Sequence, residues 1–111
     1  MKKAAYDAIG VVEVSYYANA VYLLDVMVKA SQVKFLTAEK RLGGRLVTLI
    51  VGGSTSQVNS AVDAVKAAGE NLGGNLLKAA IAISNPHLEI LKFIPGSFKE
   101  ETENEEGEKS K

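Results

Sequence analysis

Few residues in this chain have side chains suited to catalysis or metal binding. His87 is the only histidine, and there is no cysteine. That removes a thiolate nucleophile, a disulfide framework, a thiolate zinc site and an iron–sulfur ligand set. No second histidine or local carboxylate pair stands at metal-ligand spacing from His87, so it reads as a packing or capping residue beside Pro86. Asp7, Glu13, Asp25 and Asp63 are scattered over surface-compatible positions. They make no acid/base pair along the sequence, and only the fold could bring them together. Neither catalysis nor a bound metal or cofactor is expected.

Two glycine-containing stretches could bind rather than react. Gly52-Gly53-Ser54 precedes a helical pattern, as phosphate loops do, but it lacks the lysine of a Walker motif and the spaced glycines of a dinucleotide fingerprint. With Gln57 three residues on, Ser54 matches a capping box, so a turn plus cap is the plain reading and an anion at that helix N-terminus the alternative. Arg41-Leu42-Gly43-Gly44-Arg45, with Lys40 before it, is more distinctive. Adjacent glycines free the backbone for a tight turn and close approach. In one isolated chain this is an ordinary cationic loop. Gathered around a cyclic axis, the N–H groups and arginines of several copies would converge on one opening. Such a ring favours small polar or anionic solutes without any chemical step.

The elements that must hold this loop are legible from periodicity. Residues 8–14 are β-branched and read as a strand, with Ser15-Tyr16-Tyr17 as the turn into a helix. Ala20, Leu23, Leu24, Met27 and Val28 form that helix's apolar stripe. Residues 33–36 resume strand character, with Lys34 facing solvent, and residues 39–45 form a charged connection. Residues 46–51 are six consecutive strand formers, which argues for a central buried strand ended by Gly52-Gly53. Val58, Ala61, Val62, Val65 and Ala68 make a narrow stripe of small residues on a second helix, which Gly69 and Gly73-Gly74 bring to an end. Residues 76–83 form a further strand, and Asn85-Pro86 opens a short helix through Leu91.

This order, strand–helix–strand–strand–helix–strand, predicts an α/β (α+β) domain of split βαβ, ferredoxin-like topology, with both helices on one face of an antiparallel-rich sheet. The other face needs a cover, either from the last short helix or from a neighbouring subunit. A single domain of this size is marginal alone and gains from oligomerisation. Tyr16, Tyr17 and Tyr22 either cover the core edge or anchor an interface. The domain is placed at 1–94 and an acidic tail at 95–111. Residues 1–92 hold ten Lys/Arg against seven Asp/Glu, and residues 93–111 hold three Lys against six Glu. The tail has too little apolar surface to offset the entropy of ordering it. No basic stripe forms and tryptophan is absent, so nucleic acid is not an expected partner. No apolar run is long enough for a membrane span and no signal peptide is read, so no membrane is expected and a reducing cytoplasm is the default location.

Four stretches, in order and at this spacing, resemble the shell proteins of bacterial microcompartments. They are residues 8–13 (Ala-Ile-Gly-Val-Val-Glu), residues 25–33 (Asp-Val-Met-Val-Lys-Ala-Ser-Gln-Val), residues 46–53 (Leu-Val-Thr-Leu-Ile-Val-Gly-Gly) and Asn85-Pro86-His87. The Gly52-Gly53 ending is reminiscent of the tandem-domain, trimer-forming members, but the length allows one domain and favours the single-domain, hexamer-forming class. The resemblance implies a flat homohexamer that packs edge to edge with other shell proteins and has a central pore for small metabolites. It places Arg41, Leu42, Gly43, Gly44 and Arg45 in the pore loop, and Lys29, Asn85, Pro86 and His87 at the tile edge. Lys29 falls where the family's lysine lies antiparallel to its counterpart across that edge.

The chain departs from the family pattern at several positions. Asn85 stands where single-domain members usually carry an arginine that reaches across the edge, and an amide cannot replace a guanidinium fork. The usual pore loop reads Lys-Ile-Gly-Ser-Gly, so Arg45 stands where a glycine or lysine is common, and one extra residue is expected before the loop. One tandem-domain group carries a cysteine ligand for a pore-centred iron–sulfur cluster; here that position is Leu42, and no cluster is expected. Tyr17 replaces a glycine frequent just before the first helix. The expected function is a structural shell tile. The alternatives are a ferredoxin-like cytoplasmic regulatory domain binding an anionic ligand at residues 40–45, and, last, a small enzyme using His87 or a carboxylate.

Overall fold

The computed structural model describes Lys3–Ala4, residues 6–85 and Phe98–Lys99. In chain order the elements are β1 (Lys3–Ala4), β2 (Ala8–Ser15), α1 (Tyr17–Ala30), β3 (Lys34–Arg41), a 3-10 turn (Leu42–Gly44), β4 (Leu46–Gly53), α2 (Thr55–Leu72), β5 (Leu77–Ser84) and β6 (Phe98–Lys99). β1 and β6 form a two-residue antiparallel pair. The other four strands form a sheet in the order β3-β4-β2-β5, antiparallel throughout. This is the predicted split βαβ arrangement. Each helix returns the chain to the end where the preceding strand began, so every strand finds an antiparallel neighbour.

Both helices lie on one face, α1 over β3 and β4, α2 chiefly over β2 and β5. Alternation along the strands supplies the core. Ala8, Val12 and Val14 of β2, and Val47, Leu49 and Val51 of β4, point at the helices and are buried. Ala20, Leu23 and Met27 meet them from α1, and Val58, Ala61, Val62, Val65 and Ala68 from α2. The small-residue stripe of α2 behaves as expected. Gly10 sits beneath it, where an added Cβ would lie 3.1 Å from Val51 and 3.3 Å from Val58. The Ser54–Gln57 capping box is present, with Ser54 Oγ accepting from the Gln57 N–H at 3.2 Å and Gln57 Oε1 accepting from the Ser54 N–H at 2.9 Å.

Several boundaries differ from the sequence reading. Residues 39–41 belong to β3 rather than to the connection, because their backbone pairs with residues 46–48 of β4 despite their charge. Gly69 does not end α2. It lies inside the helix, buried, where Leu77 crosses so closely that a side chain on residue 69 would have to displace it. Val28 is 44% exposed and leaves the predicted core stripe, since α1 buries only a narrow seam. Beyond Asn85 the predicted short helix lies outside the described residues, and of the predicted tail only Phe98–Lys99 is described, where it is paired with β1 rather than free.

The face away from the helices changes character along its length. At one end Ile9 is buried among Val11, Leu36, Ile50 and Ile83, and Tyr6 stacks against Gly52. Towards the other end the cross-strand row reads Glu13, Thr48, Glu39. The need for a cover is thus confined to the apolar half, where Ile81 is still 50% exposed.

Candidate functional site

The fold sorts the candidate residues to opposite ends of the sheet. One end carries the row Ser15–Leu46–Arg41, followed directly by the turn Leu42–Gly44. The other end carries Ala8, Gly53 and Ser84. Eight-residue strands separate the two by roughly 25 Å. α1 starts at the turn end and reaches the far end at Lys29, a rise of roughly 20 Å over 14 residues. Asn85 follows Ser84 at that same far end, and its N–H donates to the Asp7 carbonyl at 2.8 Å. Lys29 and Asn85 therefore share one end of the domain, and Arg41–Arg45 occupies the other. Pro86 and His87 lie outside the described residues.

The turn is built from three consecutive residues of positive φ: Leu42 (56°), Gly43 (67°) and Gly44 (90°). Glycine bears such angles without strain, and Leu42 bears them at a cost. An added Cβ on either glycine would meet nothing within 4 Å, so the turn projects into open space. Leu42 is 64% exposed at its tip. The Arg45 N–H and Nε both donate to the Leu42 carbonyl, at 3.3 and 3.1 Å, folding the guanidinium back onto the loop. Arg41 Nη2 lies 3.5 Å from Glu39 Oε1 on the exposed strand end, a contact worth little in water. Lys40 Nζ sits 4.6 Å from the centroid of the Tyr17 ring. Charge at this end is therefore Lys40, Arg41 and Arg45 against Glu39 and, in the same cross-strand row, Glu13.

Two further contacts seat this turn. The Tyr16 N–H donates to the Arg45 carbonyl at 2.9 Å, and Asn19 Nδ2 donates to the Ser15 carbonyl at 2.9 Å. Tyr16 is the N-cap of α1 with φ 76° and ψ 133°, a backbone that glycine favours. The glycine-like position is therefore residue 16, not Tyr17 as the resemblance suggested; Tyr17 is already helical. The signal for it lay in the resemblance, one residue away. The Lys40–Tyr17 pairing had no sequence signal, because 23 residues separate the partners. Tyr16, Tyr17 and Tyr22 are all exposed, so they do not close the core edge.

At the far end, Lys29 Nζ lies 3.1 Å from Asp25 Oδ2, both well exposed. Ser31 Oγ donates to the Gln57 carbonyl at 2.8 Å and ties the end of α1 to the start of α2. At the Gly52-Gly53-Ser54 stretch the Ser54 and Gln57 amides are taken by the capping box. Among the described residues no three His, Asp or Glu gather as a metal site. No helix among them is long and apolar enough to cross a membrane.

Comparison with known proteins supplies the context. Residues 8–86 match the BMC domain family. The chain is 38% identical over 89 residues to the bacterial microcompartment shell protein PduA of Citrobacter freundii, covering 80% of this chain and 92% of that one. It is 34% identical over 93 residues to the microcompartment shell protein EutM of Salmonella typhimurium, covering 84% and 94%. It is 37% identical over 97 residues to the carboxysome shell protein CcmK2 of Synechocystis, covering 86% and 92%. A crystal structure of a microcompartment protein from Desulfitobacterium hafniense matches with a TM-score of 0.63 at 28% identity, over 79% of this chain and 46% of that one. This chain thus spans about half the length of that structure's chain.

Proposed function

This chain belongs to the BMC-domain family of bacterial microcompartment shell proteins, and we propose that six copies close into a ring with the 41–45 turn on the axis and the Lys29–Asn85 end on the rim. As a member of that family it is a structural, non-catalytic component that associates with other shell proteins in a microcompartment sheet. That family role favours the shell reading over a regulatory domain or a small enzyme. In our reading the shell domain spans 1–94 and residues 95–111 are an acidic extension. Pro86 and His87 belong with Lys29 and Asn85 at the tile edge, in a shell enclosed by the bacterial cytoplasm.

The observation that carries the ring is the separation of the two groups to opposite ends of one rigid sheet. A flat cyclic tile needs one end to converge and the other to diverge. The glycine turn presents bare backbone at residues 43 and 44, with nothing within 4 Å of where a Cβ would stand, so copies can approach closely there. The flank between them is apolar where a lone domain would be polar. Tyr17, Val21 and Val28 recur along α1 at 52%, 51% and 44% exposure, and Phe35 on the edge strand β3 is 46% exposed. Head-to-tail contact through such a flank closes a ring when the rotation per copy is right. With Lys40, Arg41 and Arg45 against Glu39 and Glu13, the opening of such a ring carries net positive charge and passes small polar or anionic metabolites.

Native mass measurement of the purified chain tests the ring, and electron microscopy tests the sheet. A six-fold mass and a hexagonal repeat are expected. A stable monomer at high concentration, with residues 43–44 exchanging freely with water, overturns the reading.

A further inference from the structure

The three cations of the turn differ in what holds them. Arg41 leans on Glu39, and Arg45 donates to the Leu42 carbonyl. Lys40 has an aromatic face instead, its Nζ 4.6 Å from the Tyr17 centroid, and among the described residues no carboxylate pairs with it. A ring face attracts an ammonium but is a poor hydrogen-bond acceptor, so Lys40 keeps donors to offer. The ring also fixes where they are offered. Tyr17, Lys40, Gly43 and Gly44 line a hollow of about 420 Å³, within the size range of small-ligand sites. Its glycine side has no side chain to crowd a ligand, since a Cβ on either glycine would meet nothing within 4 Å.

We propose that this hollow is a binding subsite for a small oxyanion, a carboxylate or phosphate head group, with Lys40 as its counter-charge and Tyr17 as the wall that positions Lys40. An ammonium is a compact point charge with three donors, suited to an oxyanion of either kind. The glycine backbone admits the head group at close range. The inference deepens the pore reading by placing a selective step beside the turn. It rests on that reading for a role in passage, but not for binding.

The test is 19F NMR of the protein carrying 3-fluorotyrosine, with the Tyr17 resonance assigned by its loss in Tyr17→Phe. Titration with sodium phosphate, sodium acetate and the neutral diol 1,2-propanediol is compared at constant ionic strength. A saturable shift of the Tyr17 signal with phosphate, acetate or both, and none with the diol, supports the subsite; which anion saturates distinguishes a phosphate from a carboxylate source. Lys40→Gln is expected to weaken that response about tenfold or more, while Arg41→Gln changes it far less. Absence of saturation with either anion, or an unchanged response in Lys40→Gln, overturns it. A chain that forms rings but shows no saturation defeats the subsite alone. A chain that binds but forms no ring defeats the pore alone.

Discussion

The Arg45 carbonyl accepts the Tyr16 backbone N–H at 2.9 Å, and through this one bond the N-terminus of α1 rests on the glycine turn. The contact joins the last turn of β2 to the return of the chain from β3, two places 29 positions apart. It costs strain, because Tyr16 must hold φ 76° to present its N–H. Helix start and turn therefore share one geometry, and changes at either are felt at the other.

Tyr16→Gly should relieve that strain. A non-glycine residue in a glycine-type backbone costs on the order of 1–3 kcal/mol, and added freedom in the unfolded chain returns roughly 0.5–1 of it. A net gain of about 1 kcal/mol in urea unfolding is expected, since the half-exposed ring gives up little packing. A variant less stable than the parent would show that the tyrosine ring, not the backbone, decides this position.

Gly44→Ala should act in the opposite direction. Residue 44 holds φ 90° in open space, so the substitution meets no neighbour and only the backbone objects. A loss of about 1–2 kcal/mol is expected. Thermal unfolding of the two variants in parallel would show opposite shifts in melting temperature.

Gly10→Ala probes the seam between α2 and the sheet. The new methyl would press on Val51, Val58 and Val62, all buried and all stiff about χ1. Overpacking of this kind costs about 1–3 kcal/mol. The check is denaturant unfolding, with loss of the near-ultraviolet tyrosine signal as a second probe.

Lys29→Ala separates folding from tiling. Its ion pair with Asp25 is exposed and contributes only about 0.3–0.5 kcal/mol. Unfolding and ring mass should therefore be unchanged, while electron microscopy of the variant should lose extended sheets. Sheets of normal extent would remove Lys29 from the tile edge.

Legibility in the sequence followed the range of the interaction. The capping box of α2, the strand at Leu46–Val51 and the stripe from Val58 to Ala68 were readable because each is decided within a few residues. The extent of β3 was not, because charged residues 39–41 are held in the strand by hydrogen bonds to β4 that composition does not record. Gly69 read as a helix end because its reason for being small is Leu77, on another element. The exposed side of α1 was mistaken for core at Val28 for a related reason: periodicity shows a stripe but not how wide a seam its partner covers.

Alternation, caps and glycine positions, all local, were enough to determine element order, the antiparallel split βαβ topology and the presence of a cationic glycine turn. Only the tertiary structure decided that this turn and the Lys29–Asn85 pair stand at opposite ends of the sheet. The same holds for Tyr16 bearing the glycine-type backbone and for Tyr17 lying beneath Lys40. Those facts depend on strand register and on helix seating, and both are set by packing energies summed over the whole core rather than by any one stretch of sequence.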